Sequence, residues 1–207
     1  LIFSFSEDYK SKIVNQSVEQ SIEVIRKRVD ESGTKEPNIQ KQGLDRIVVQ
    51  LPGIKDPQRI KNLIGRTAKL NLHLLDPTTV ELAQQRGKLP PGTFKVLNAD
   101  PTAYEKEFVV KKRVVLSGDR LRSATATVDA QTGKYVVAFE LDKKGAKRFA
   151  KITTENKFQR LAILLDNRVI SAPQIREPIT GGQGNISGNF SPESANDLAV
   201  LLRAGSL

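Results

Sequence analysis

Residues 42–54 read QGLDRIVVQLPGI, and this stretch decides how the first third of the chain is interpreted. The run at residues 46–51 is rich in β-branched residues and is typical of a strand. A shorter extended piece at residues 38–40 precedes it, separated by a loop that contains Gly43. Two short strands joined in this way predict a β-hairpin. Pro52 and Gly53 then end the second strand.

Helices are predicted on both sides of the hairpin. Before it, residues 17–32 carry one apolar stripe at helical spacing, formed by Val18, Ile22, Ile25 and Val29. After it, Asp56 is placed to cap a second helix, with Pro57 at the first helical position and Gly65 at the end. Residues 68–75 are then predicted to form a strand, because polarity alternates over the first six of them.

With an extra strand at residues 1–5, this order becomes a split β-α-β unit of the ferredoxin-like kind. The expected fold class is therefore α+β, with helices on one face of an antiparallel sheet.

The remainder of the chain predicts a second α+β set. Residues 77–106 are polar, are interrupted by Pro90, Pro91 and Gly92, and are interpreted as a variable surface excursion. Strands are then expected at residues 108–116, 135–141, 161–165 and 168–171. Asp142 and Ser191 are expected to cap two helices, and Asp166 with Asn167 forms a tight turn. Pro173 and Pro178 restrict the segment after the last of these strands to a sheet edge.

Composition limits the functional classes. There are 33 Lys and Arg against 23 Asp and Glu, a net charge of +10, and no cysteine, which excludes a thiol nucleophile and a Cys-based zinc site. The basic residues are scattered, and the eight Phe and three Tyr do not interleave with them as a base-stacking surface requires. Solvated faces are therefore favoured over nucleic-acid binding, although a basic α+β nucleic-acid-binding domain remains the alternative. The apolar runs are far shorter than the roughly 20 residues that span a bilayer.

The motifs that could carry chemistry are incomplete. The glycine cluster at residues 181–188 has Ser187 where a dinucleotide loop needs its third glycine, so a turn or hinge is favoured. His73 is the only histidine, and no triad or metal cluster can be built around it from local spacing. Glu140 and Asp142 stand at a strand end, where a capping role explains Asp142. The sequence therefore predicts no enzyme, no catalytic or metal residue and no cofactor; an enzyme on a ferredoxin-like scaffold is possible only because fold does not fix function.

Several long stretches of this sequence, in a fixed order, resemble those of a known protein family. In the first half they are EVIRKRVDESG (23–33), EPNIQ (36–40), QGLDRIVVQLPGI (42–54) and GRTAKL (65–70). In the second half they are LSGD (116–119), AILLDNRVISAP (162–173), GGQGNISGNF (181–190) and LLRAGSL (201–207). In this order they resemble the first large periplasmic domain of the SecD family of protein-export subunits, and the resemblance is weakest at residues 1–14 and 77–106.

The resemblance implies a role in bacterial protein export. SecD proteins work with SecF, assist the SecYEG channel and act on translocating preproteins by using the proton gradient. The proton-carrying residues of the family lie in inner-membrane helices that this chain lacks, so the chain is expected to be a periplasmic domain that binds polypeptide and moves.

The family's division into a ferredoxin-like base and a swinging head is expected here as well. Residues 1–76 and 186–207 are expected to form the base and residues 77–185 the head. Hinges are expected at the two places where the chain passes between base and head. The candidate hinge residues at the first are Leu75, Asp76 and Pro77. Those at the second are Gly181, Gly182, Gly184 and Gly188, because glycines absorb large backbone rotations. The Pro-bearing edge segment provides the candidate polypeptide contacts, which are Ile170, Ala172, Pro173, Ile175, Pro178 and Ile179.

Overall fold

The computed structural model describes residues 6–33, 36–78, 80–85 and 87–207. The chain forms two compact units, of which the first ends at Thr67 and also includes Ser206–Leu207, and the second is Ala68–Gly205. Helices and strands occur in both units, so the α+β class is confirmed.

The first unit contains two helices and a hairpin. Its elements are α1 (Glu7–Glu31), β1 (Asn38–Gln42), β2 (Arg46–Gln50) and α2 (Pro57–Gly65). The predicted hairpin is confirmed, with β1 and β2 antiparallel and Asn38 opposite Gln50. Asp56 caps α2 as expected, because its carboxylate accepts a hydrogen bond of 3.0 Å from the N–H of Arg59.

Helix α1 begins well before the predicted residue 17. Ser6 is its cap, and Glu7 and Asp8 lie in the first turn, where acidic side chains favour a helix. The apolar residues of the added turns are Tyr9, Ile13 and Val14, which are 48%, 44% and 39% exposed, so this part of the helix buries little apolar surface. The predicted stripe lies in the part that packs: Ile25 and Val29 form a buried cluster with Ile39 of β1.

Arg28 of α1 is fully buried and ties the unit together. Its guanidinium donates to the carbonyl oxygens of Leu63 at 3.1 Å and Ile64 at 3.2 Å, and also to that of Arg66. The last carbonyls of a helix have no partner within the helix and carry its partial negative charge. A buried cation at this point therefore satisfies the carboxyl end of α2.

The second unit combines a closed barrel with a small sheet. Its strands are β3 (Leu70–Leu75), β4 (Thr93–Asn98), β5 (Glu107–Ser117), β6 (Leu121–Val128), β7 (Tyr135–Leu141), β8 (Leu161–Leu165), β9 (Arg168–Ser171) and β10 (Gln183–Ser187). Its helices are α3 (Val80–Gln85), α4 (Lys143–Glu155) and α5 (Pro192–Ala204).

The barrel has the order β3-β5-β4-β9-β8, and its strands are antiparallel except for the β4–β9 pair. Its interior includes Val96, Phe108, Val110, Ala162, Leu164 and Val169. The sheet has the order β10-β7-β6 and is antiparallel. Helix α5 packs on β6 and β7, and α4 packs on β5 and β7.

Several predicted features take a different form. The strand expected at residues 68–75 is β3, which pairs with β5 and β8, whereas the hairpin sheet has two strands within the described residues. The expected strand at residues 1–5 lies outside the described residues. Residues 77–106, expected as a surface excursion, contain α3 and the barrel strand β4, which proline-rich and polar flanks conceal in the sequence.

The division into units also differs from the expected one. Residues 186–207 were expected beside residues 1–76, but α5 packs on β6 and β7, and β10 pairs with β7. The boundaries between the two compact units fall in the sequence after Thr67 and after Gly205, instead of after residues 76 and 185.

Candidate functional site

The first candidate hinge segment consists of Leu75, which is the last residue of β3, and of Asp76 and Pro77, which follow it. The N–H of Leu75 donates to the carbonyl of Arg160 at 3.0 Å, and the N–H of Asp76 to that of Val109 at 2.9 Å. These bonds attach both residues to the rest of the second unit. A hinge role for this segment stays a prediction.

The candidate hinge glycines are in close contact with neighbouring residues. A Cβ on Gly182, which has φ of 70°, would lie 2.5 Å from the Cβ of Ala146. A Cβ on Gly184 would lie 2.7 Å from the ring of Phe139, and one on Gly188 would lie 2.8 Å from that of Phe190, whereas Gly181 has open space. Three of the four glycines are thus explained by close packing, and their hinge role also stays a prediction.

The candidate polypeptide-contact segment at residues 170–179 lies beside residues 158–161. Ile175 is only 4% exposed; its N–H donates to Gln159 at 2.9 Å, and its carbonyl accepts from Phe158 at 2.7 Å. The N–H of Ile179 donates to the hydroxyl of Thr153 at 2.9 Å. Pro173 and Pro178 are exposed, whereas Ile170, Ala172 and Ile179 are half-buried. The segment therefore presents its prolines to solvent and directs Ile175 inward.

An apolar cleft of about 260 Å³ lies against the inner side of this segment. Its apolar lining includes Leu72, Phe139, Phe149, Ile163, Ile175 and Ile179. Gly184 and Asn185 of β10 also line it, and β10 is an outer strand of its sheet. The cleft thus combines apolar side chains with a strand at a sheet edge, which are the two features that an extended polypeptide requires.

A larger open groove of about 1220 Å³ lies at the end of β3 and is polar in part. Two aromatic side chains on its wall face solvent, since Tyr104 is 104% and Phe158 66% exposed. In the lining of the same groove, the guanidinium of Arg160 makes paired hydrogen bonds of 3.0 and 2.8 Å to the carboxylate of Glu105. Single exposed aromatic side chains are common on protein surfaces, so these two residues alone assign no binding role to the groove.

The groups considered for catalysis have structural partners. His73 is buried, and its Nδ1–H donates to the carbonyl of Lys111 at 2.8 Å, because a carbonyl oxygen can only accept. Glu140 pairs with Arg122 at 3.2 Å.

Asp142 caps α4, and the N–H of Gly145 holds the pKa of this carboxyl below its usual value, with help from Arg120. Within residues 6–33, 36–78, 80–85 and 87–207, no group of three or more His, Cys, Asp or Glu residues could hold a metal ion.

Two family models match the chain. The model described as "SecDF, P1 head subdomain" matches residues 94–207, more than half of the sequence. The chain belongs to the SecD/SecDF family of protein translocase subunits. The model described as "Protein translocase subunit SecDF, P1 domain, N-terminal" matches residues 18–77.

Curated members of the SecD family are similar over nearly all of this sequence. The chain is 48% identical to the protein translocase subunit SecD of Rickettsia felis over 204 residues, which are 99% of the chain and 39% of the relative. It is 46% identical to SecD of Acetobacter pasteurianus over 93% of the chain and 36% of the relative. The chain thus spans well under half the length of these relatives.

Solved SecDF structures have the same fold. One described as "Crystal structure of SecDF in Super-membrane-facing form" matches with a TM-score of 0.74 and 33% identity over 92% of this chain and 26% of that one. Another, described as "Structure and function of a membrane component SecDF that enhances protein export", matches with a TM-score of 0.71 and 31% identity over 99% and 90% of the two chains. In the part of the chain that the structure describes, no helix combines the length and the apolarity needed to cross a membrane.

Sequence reasoning found one wall of the cleft and missed the others. The Pro-bearing segment stood out because prolines mark sheet edges. The deeper lining comes from β3, β7, β8 and α4, which are far apart in the sequence and meet only through the fold. The exposure of Tyr104 and Phe158 has no signal in the sequence, because an aromatic residue in a polar stretch is as compatible with burial as with exposure.

Proposed function

We propose that this chain is the P1 domain of a SecD-type subunit and that it binds extended, unfolded polypeptide in the apolar cleft beside β10. The observation that carries the proposal is the joint presence of that cleft and an outer strand in one place. The role is one of binding, not of catalysis.

The physical basis is strand addition with side-chain burial. A peptide aligned with β10 would pair through its backbone, which every sequence offers, and alternate side chains would enter the cleft. Such recognition depends on backbone hydrogen bonds, which all polypeptides can form, and on apolar side chains of the bound segment. It therefore suits preproteins of many different sequences. Phe139 and Phe149 stand edge to face with centroids 6.3 Å apart and form a firm apolar wall for those side chains.

Within the whole protein, we propose the role that family membership supports. The domain would lie in the periplasm, attached to the bacterial inner membrane by segments outside this sequence, and would work with SecF beside the SecYEG channel. Polypeptide emerging from the channel would be held by the cleft, and the proton gradient used by the membrane part would move the domain. Movement at the candidate hinge segments would be internal to the second unit, because residues 75–77 and 181–188 both lie within Ala68–Gly205.

The experiment is site-specific photo-crosslinking in the full-length protein with a translocating preprotein arrested in the channel. Photoreactive residues at Ile179 and Asn185 test the two walls of the cleft, and one at Leu44, which is 66% exposed in the turn of the first unit, is the control. We expect crosslinks from the cleft positions and few from Leu44. Crosslinks from Leu44 alone would contradict the assignment of the cleft.

A binding measurement separates loss of contact from loss of fold. Ile179→Asp places a charge at the mouth of the cleft, where the side chain is only half-buried. We expect it to weaken binding of an unfolded apolar peptide at least tenfold while the thermal unfolding midpoint changes little. The matched variant Leu44→Asp is expected to leave peptide binding unchanged.

A further inference from the structure

The outer face of α4 is basic from Lys143 to Lys151, whereas its last turn has no basic residue. Its exposed cations, on the side opposite the buried Gly145, Phe149 and Thr153, are Lys143, Lys144, Lys147, Arg148 and Lys151. These five residues are defined here as the α4 basic face.

This arrangement works against the helix itself. Lys143, Lys147 and Lys151 follow one another at intervals of four residues, where like charges repel. Two lysines also occupy the first turn, and the capping Asp142 supplies the negative charge that the amino end of a helix favours. Within α4, Glu155 forms an ion pair with one residue of this face, since its Oε1 lies 3.8 Å from the Nζ of Lys151. Because local helix energetics disfavour the pattern, an external anionic partner is its natural explanation.

The positive surface continues onto the neighbouring strand. The guanidinium of Arg148 donates to the carbonyl of Val114 in β5 at 3.1 Å. Lys112 and Arg113, which directly precede Val114, are exposed. Arg148 therefore brings the α4 basic face up to β5.

We infer that the α4 basic face binds anionic lipid headgroups at the membrane surface. The helical face is convex, and lysines act as point charges that tolerate a fluid array of phosphates better than a fixed ligand. None of its residues is aromatic, so it lacks the stacking platform that single-stranded nucleic acid requires. The inference rests on the proposed attachment of the domain to the membrane and is independent of the cleft. Contact with headgroups would set the orientation of the domain above the bilayer.

The test is flotation of the 207-residue chain with lipid vesicles. Phosphatidylcholine vesicles are compared with vesicles that also contain phosphatidylglycerol. The test variant is Lys143→Gln/Lys147→Gln/Lys151→Gln. The matched control, Lys55→Gln/Lys61→Gln/Lys69→Gln, removes the same charge from three exposed lysines elsewhere.

We expect binding only to the anionic vesicles, weakened by added salt. Each lysine close to an anionic surface contributes about a fivefold gain in affinity, so the test variant should lose on the order of 100-fold and the control far less. The test variant should also melt no earlier than the parent chain, because repulsion within α4 has been removed.

Two results would overturn the inference. Equal losses in the test and control variants would show that net charge alone attracts the chain. Absence of vesicle binding at low salt, together with capture of polyglutamate through the same lysines, would assign the face to an acidic protein instead. Neither result affects the crosslinks expected from the cleft, so the two proposals fail separately.

Discussion

The carboxylate of Asp166 accepts a hydrogen bond of 3.2 Å from the backbone N–H of Ala68, and its second oxygen accepts one of 3.0 Å from Lys69. Ala68 is 4% exposed and has φ of 58°, an uncommon value for a residue with a side chain. Asp166 itself has φ of 50° in the tight turn between β8 and β9. One turn residue therefore holds the first two residues of the second unit at a strained position.

Replacing Asp166 by alanine should destabilise the second unit by about 2–3 kcal/mol. The change leaves two backbone N–H groups without their acceptor, and alanine tolerates the positive φ poorly. Asp166→Asn should cost less, because asparagine accepts the same conformation and retains one acceptor oxygen. Urea unfolding of both variants measures the difference. Equal stability of the alanine variant and the parent would contradict the role assigned to these bonds.

Adjacent glycines should respond differently to substitution by alanine. Gly182→Ala should lose about 1–3 kcal/mol, because the new Cβ would meet Ala146 at 2.5 Å and the backbone has φ of 70°. Gly181→Ala should be close to neutral, since its Cβ has open space. Thermal unfolding of the pair checks this. A pure hinge role, with no packing role, would instead leave the stability of both variants unchanged and alter only export in the full-length protein.

Loss of the buried guanidinium of Arg28 should unfold the first unit readily. Arg28→Met preserves much of the side-chain volume but leaves carbonyls at the end of α2 without donors, and we expect a loss of about 3 kcal/mol or more. The matched variant Arg26→Met changes an exposed side chain on the same helix and should stay within about 0.5 kcal/mol of the parent. Hydrogen exchange of the α1 and α2 amides would locate the effect in this unit.

Acidification should weaken the second unit through the cap of α4. The pKa of Asp142 is lowered from 3.8, mainly by the N–H of Gly145 and then by Arg120, so folding favours the charged carboxylate. That contribution is present above the unfolded value of about 4 and is lost as the pH falls through the lower folded value.

Asp142→Asn keeps a capping side chain that does not titrate. Its urea midpoint should therefore fall less steeply than that of the parent chain below about pH 4. Asp129→Asn should act in the same direction, because Thr132 lowers the pKa of Asp129. Identical pH profiles for the parent and both variants would contradict this assignment.

Local signals in the sequence were enough for most elements of the fold. The caps at Asp56, Asp142 and Ser191, the hairpin of β1 and β2 and the turn at Asp166 and Asn167 depend on residues within a few positions of one another. Such interactions are visible in one sequence because turn and cap chemistry is local.

The missed elements depend on distant partners. Strand β6 reads LRSATATV, with small residues of weak strand character, and is held by pairing with β7 and packing against α5. Strand β4 lies between proline-rich and polar segments, and β5 and β9 are its partners. The pairing of β3 with β5 and β8 was equally hidden, because an alternating pattern shows that a strand has two faces but not which neighbours it has. The residues that line the cleft are brought together by these pairings, so the cleft could not be predicted before the pairings were known.

Closing β3, β5, β4, β9 and β8 into a cylinder gives each of these five strands a neighbour on both sides, with β4 and β9 joined through Leu97–Arg168 and Asn98–Val169. Within residues 68–205, open edges belong to the three-stranded sheet, at β6 and β10. Bare edges are where stacked cross-β aggregates begin, because an incoming chain can copy them strand by strand. If the domain binds unfolded chains as proposed, the paired strands of the barrel would limit fibril nucleation to the few edges that remain open.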